Sequence, residues 1–145
     1  EDVNLRGHSI ECRINAEDPF DMIPSPGKIL RYHPPGGIGV RVDSHLYSDY
    51  VVPHNYDSMI AKVIVWSFDR FSAIQRMRCA LDEMVIDGVR NNIQLHMNIL
   101  FSEYFVSGKF NIQYLSKLLS NDDFKKRRYK FSDKKLFKIT NGMVI

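Results

Sequence analysis

Ser58-Met59-Ile60-Ala61-Lys62-Val63-Ile64-Val65-Trp66 carries one charge in nine residues and is otherwise almost wholly apolar. A short run of this kind, rich in β-branched side chains, reads as a strand, and its continuous apolarity predicts a central strand covered on both faces. The segments upstream are its natural partners.

His8-Ser9-Ile10-Glu11-Cys12-Arg13-Ile14-Asn15-Ala16-Glu17-Asp18 alternates, with Ile10, Cys12, Ile14 and Ala16 on one face and Ser9, Glu11, Arg13 and Asn15 on the other. Lys28-Ile29-Leu30-Arg31-Tyr32 reads as a short strand. In Val40-Arg41-Val42-Asp43-Ser44 the two charged residues oppose the two valines. The connections are rich in proline and glycine: Asp18-Pro19-Phe20, Ile23-Pro24-Ser25-Pro26-Gly27 and Pro34-Pro35-Gly36-Gly37-Ile38-Gly39. A tyrosine-rich loop, Tyr47 to Tyr56, is expected to pack over a sheet edge. Four strands joined by turns, with no helix between them, predict an antiparallel sheet, because parallel pairs need long crossovers.

Helical spacing begins only afterwards. Ser72 can cap a helix through Ile74, Met77, Leu81, Met84 and Val85, with Gly88 placed to end it. Asn91 or Asn92 can start a second helix, reaching about Phe105 with Ile93, His96, Ile99 and Leu100 on one side. A third is expected from Asn111 to Leu119. Strands followed by helices define an α+β class, with a domain over residues 1–119 and a basic extension over 120–145.

The 145 residues are 44% hydrophobic and 26% charged, the balance of a globular protein. No apolar run approaches the ~20 residues that cross a bilayer. The start, Glu1-Asp2-Val3-Asn4, has neither the basic nor the apolar part of a secretion signal, and the chain has no initiating Met. We therefore expect a cytoplasmic segment of something larger. Cys12 and Cys79 form no CxxC pair, so reduced thiols are expected and a structural zinc site is not. The net charge of +3 is uneven: residues 117–145 hold nine Lys or Arg against three Asp. The tail is basic; the body is slightly acidic.

The polar face of the first strand has two readings. Glu11, Arg13 and Asn15 are what a site for a small planar anion would use, since a guanidinium offers a rigid fork of donors that a neighbouring carboxylate can aim. From spacing alone an ordinary solvated sheet surface with an ion pair is the stronger reading. The Gly36-Gly37-Ile38-Gly39 run precedes a strand rather than a helix, which makes it a structural turn and not a phosphate cradle. Asp57 can form a turn through its side chain or anchor an interface. His96 reads as a partly buried helix residue with a satisfied ring. No nucleophilic triad or carboxylate pair can be assembled. The run from Lys125 to Lys138 meets the electrostatic criterion for nucleic acid but lacks a recognition helix, so a solvated face is the stronger reading.

Three ordered series carry a resemblance: Gly7 to Pro19, Pro24 to Ile29, and Tyr32 to Ser44. Tyr56-Asp57-Ser58-Met59-Ile60-Ala61-Lys62 and Ala80 to Gly88 continue it. Together, over about residues 5–120, the chain resembles the biotin carboxylase family, specifically the carboxy-terminal domain of the biotin carboxylase component of acetyl-CoA carboxylase. The resemblance implies the last domain of an ATP-grasp enzyme that uses ATP, Mg²⁺ and bicarbonate to carboxylate biotin on a biotin carboxyl carrier protein, working with a carboxyltransferase. It implies that Arg13 contacts bicarbonate and the biotin ureido oxygen, with Glu11 and Asn15 as supports. It places Ile112 against adenine, and Ile38, Arg41 and Asp57 at or near a homodimer interface. The family's lid glycines, ATP-binding lysines and metal-binding carboxylates match nothing here, which implies that the chain alone is inactive. Relatives acting on propionyl-CoA, pyruvate or urea share this domain. A stand-alone module binding anionic polymer through the tail is the rival from another class.

Overall fold

A computed structural model describes residues 4–120. Backbone contacts divide the chain into two units, residues 1–108 and 109–145.

In the first unit the apolar run forms β6 (Met59–Ser67), flanked on one side by β1 (His8–Asn15) and on the other by β4 (Val40–Ser44), both antiparallel to it. The central position and the antiparallel sheet are as expected. The expected cover on both faces is met only in part: Ala61, Val63, Val65 and Ser67 are buried, and so is Ile60, whereas Lys62 and Ile64 are half-buried and Trp66 is 40% exposed. Helix α1 (Arg70–Glu83) covers only one face of the sheet, packing Ala73, Ile74, Met77, Ala80 and Leu81 inward against β6 and β1. The inward face of β1 supplies Cys12 and Ile14 to this core, and Ala16, just past its end, joins them, following the predicted alternation.

The segment Lys28–Tyr32 is not a fourth strand of that sheet. It is divided between β2 (Gly27–Lys28), which pairs with β5 (Val51–Val52), and β3 (Arg31–His33), which pairs with β7 (Val85–Asp87). Ile29, wholly buried between the two pieces, is the pivot: its N–H donates to the Tyr50 carbonyl, while the next N–H, of Leu30, donates to that of Asp87.

The helix boundaries also shift. Asp69 caps α1, its carboxylate accepting from the Ser72 N–H at 2.8 Å and hydroxyl at 2.7 Å, so Ser72 is a partner of the cap and not the cap itself. The helix stops at Glu83 because Val85–Asp87 is drawn into pairing with β3. Gly88 therefore ends a strand. Its φ is +105° and the Lys28 carbonyl lies where a Cβ would stand. The second helix, α2 (Ile93–Leu100), is followed by a separate turn of helix, α3 (Glu103–Val106), capped by Ser102. Two arginines of α1 reach the ends of these helices: Arg78 donates to the Leu100 carbonyl at 2.6 Å and Arg70 to that of Phe105 at 2.5 Å.

In the second unit, α4 (Tyr114–Ser120) starts later than expected, after a turn in which the Asn111 side chain accepts from the Gln113 N–H. The basic run from Lys125 onward lies outside the described residues.

Candidate functional site

The open face of the three-stranded sheet carries most of the predicted site. In the register of the ladder Arg13, Lys62 and Asp43 form one row across β1, β6 and β4, and Glu11, Ile64 and Arg41 form the next. Within β1 the Arg13 Nε donates to Glu11 Oε1 at 3.0 Å; within β4 the Arg41 Nε donates to Asp43 Oδ1 at 2.9 Å. The Arg41 guanidinium holds the Asp43 carboxyl below the usual carboxylate range. The Arg13 side chain is 70% exposed, so its pair with Glu11 stabilises the fold by no more than ~1 kcal/mol. What Glu11 does is orient the fork, leaving the remaining guanidinium N–H groups facing outward.

The backbone beneath Arg13 is held much more firmly than its side chain. A β-bulge shifts the register between Ile14 and Asn15, loosening the ladder to β6 at that point. On the other edge of β1, the side-chain amide of buried Asn92 donates from Nδ2 to the Arg13 carbonyl at 3.1 Å and accepts the Asn15 N–H on Oδ1 at 2.9 Å. This is the pair of bonds that a neighbouring strand's peptide would make. His96, one turn along α2, places Nε2 2.8 Å from the same Arg13 carbonyl. A carbonyl only accepts, so Nε2 carries the proton. Burial pushes the His96 pKa below its ordinary value, partly offset by this bond and by Glu17.

Asn15 does not turn to Arg13. Its Nδ2 donates to Glu17 Oε1 at 3.2 Å, and the second Glu17 oxygen accepts from Ser58 Oγ at 3.2 Å. What links it to the surroundings of Arg13 is its backbone N–H, bonded to Asn92. Asp57 forms the turn read for it, accepting the Met59 N–H at 2.9 Å just before β6. Ile38 stands 93% exposed on the glycine link that enters β4, and Ile112, 99% exposed, belongs to the second unit. The fold therefore gathers Glu11, Arg13 and Arg41 on one face, with Ile38 and Asp57 in loops that lead into its strands.

Residue reading overlooked three contributors: Lys62 beside Arg13, Asn92, and the carbonyl that His96 serves. Lys62 was legible as the single charge in the apolar run. Asn92 and His96 share a face at i and i+4, but nothing local to that spacing reveals a strand edge 79 and 83 residues away.

Chemically, an outward guanidinium beside an ammonium suits a carbonate, carboxylate or polarised carbonyl oxygen. Among the described residues no group of three or more His, Cys, Asp or Glu is placed to hold a metal ion.

Residues 11–130 match the model of the biotin carboxylase C-terminal domain. The chain belongs to that family. It is 56% identical over 122 residues to the biotin carboxylase of Pseudomonas aeruginosa, covering 84% of this chain and 27% of that one. It is 47% identical over 136 residues to a pyruvate carboxylase chain of Methanothermobacter thermautotrophicus, covering 93% and 28%. Among solved structures it resembles the biotin carboxylase domain dimer of Hydrogenobacter thermophilus 2-oxoglutarate carboxylase, in complex with MgADP, ADP and bicarbonate. There the TM-score is 0.78 and the identity 46%, covering 79% of this chain and 26% of the other. The chain thus spans about a quarter of the length of the relatives it matches.

Proposed function

We propose that this chain supplies the carboxy-terminal wall of a biotin carboxylase site in which ATP activates bicarbonate and CO₂ passes to biotin on a carrier protein. The observation that carries the reading is the exposed Arg13 fork, aimed by Glu11 from a strand edge that is itself pinned. Its part is electrostatic. A fixed cation facing the bicarbonate and the biotin ureido oxygen stabilises the negative charge that develops as the ureido nitrogen becomes nucleophilic. ATP and Mg²⁺ are bound mainly by residues beyond this module, with Ile112 lying against the adenine. The chain alone is therefore inactive.

Two copies pair through a surface that includes Ile38, Arg41 and Asp57; an apolar side chain 93% exposed next to a charged strand is the composition such a surface needs. Among the described residues no helix is long and apolar enough to cross a membrane, in keeping with a cytoplasmic setting.

The acyl acceptor we assign is acetyl-CoA, in fatty-acid synthesis through a separate carboxyltransferase, on the strength of the high identity to biotin carboxylases over residues that include the site. A pyruvate enzyme is the second reading, favoured by the longer alignment to the pyruvate carboxylase chain. To decide, the longer chain carrying this segment is assayed for ATP- and bicarbonate-dependent carboxylation of biotin, then coupled to purified carboxyltransferase components. Labelled malonyl-CoA supports the first reading and labelled oxaloacetate the second. No ADP release with biotin and bicarbonate present refutes both.

A further inference from the structure

We propose that Asn92 and His96 are positioning residues for Arg13: they pin the outer edge of β1 around Ile14, so that the guanidinium leaves the sheet from a fixed point. The inference rests on the reading of Arg13 above.

An arginine has four rotatable side-chain bonds, and among the described residues its head is tied to Glu11 alone, through an exposed pair at 3.0 Å that fixes its direction but not its height above the sheet. Reproducible placement must then come from the backbone it hangs from. That backbone sits beside a bulge, where the ladder to β6 is interrupted. The molecule compensates on the opposite edge. Both acceptor positions of the Arg13 carbonyl are occupied, by Asn92 Nδ2 at 3.1 Å and His96 Nε2 at 2.8 Å. The next outward-pointing group, the Asn15 N–H, is taken by Asn92 Oδ1 at 2.9 Å, and the Asn92 N–H reaches the Asn15 carbonyl at 3.3 Å. Ile14, between them, is wholly buried and cannot follow a displaced neighbour without opening the core. The two donors come from the first residues of α2 and its cap, so α2 sets the height and tilt of the strand that carries the arginine. A misplacement of ~1 Å in a group facing the reacting atoms can cost ~100-fold in rate.

The test uses the longer carboxylase chain with ATP, bicarbonate and free biotin, measuring kcat and the KM for ATP. His96→Leu, which removes the donor, is expected to lower kcat about tenfold with the KM for ATP unchanged. His96→Gln, which keeps an N–H donor, should recover most of the loss. Asn92→Asp, which keeps the acceptor for the Asn15 N–H but loses the donor to Arg13, should resemble His96→Leu and decides the matter if the leucine variant does not fold. Because both residues act through Arg13, the double variant Arg13→Ala/His96→Leu should be no slower than Arg13→Ala alone. Effects that multiply in the double variant, or a leucine variant at the wild-type rate, overturn the inference and leave the reading of Arg13 standing. A wild-type rate in Arg13→Ala overturns the reading itself, and this inference with it.

Discussion

The two cysteines have the same chemistry and opposite surroundings. Cys12 packs into the core with its pKa pushed up to about 12 by burial and by Glu11, whereas Cys79 is exposed on α1. A thiolate is the reactive form. Treatment of the native chain with a thiol reagent near neutral pH should therefore label Cys79 quickly and Cys12 only on unfolding, as read by mass spectrometry; equal labelling in the native state would refute the packing of β1. His96 gives a pH signature. Its folded pKa is depressed by burial, so below ~6.5 the unfolded chain binds a proton that the folded chain resists, and stability falls as pH drops through that value. Denaturant midpoints measured across that range should decline towards acid more steeply for the parent than for His96→Gln, since glutamine does not titrate.

Among the elements, the β7 turn and α1 carry the sharpest consequences. Gly88→Ala puts a Cβ against the Lys28 carbonyl at a φ of +105°, and should cost more than ~1 kcal/mol of stability in chemical denaturation. Met77→Ala opens a cavity at a fully buried position facing the sheet, with an expected loss of about 2–5 kcal/mol. The alternation of β1 and the apolarity of β6 were legible in the sequence because each strand's own period reports its inward face. What was not legible depends on distant partners. Val85–Asp87 continues the helical spacing of α1 and becomes a strand only because β3 offers it an edge. Lys28–Tyr32 reads as one strand and is parted because Tyr50 and Asp87 claim successive amides. Ser72 and Asp69 are both sound caps; only the backbone at Asp69, extended at φ −143° and ψ 169°, decides between them.

At the scale of the whole molecule, the residues of the proposed anion site were in part legible and the contacts beneath them were not. The residue types on β1 named Arg13 and Glu11, and family resemblance gave them a role. The means of holding Arg13 in place, through Asn92 and His96, is a tertiary contact across about eighty residues that no local pattern reveals. The sheet leaves one face open where Arg13, Lys62 and Arg41 gather, and α1 closes the other, so the module offers a charged wall to whatever closes over it. The proposed role of Arg13, to stabilise charge developing on bicarbonate and biotin, is checked by Arg13→Ala in the longer carboxylase chain, with biotin carboxylation followed as bicarbonate-dependent ADP release. We expect kcat to fall on the order of 100-fold or more while the KM for ATP is held. Carboxylation at the wild-type rate would contradict the account.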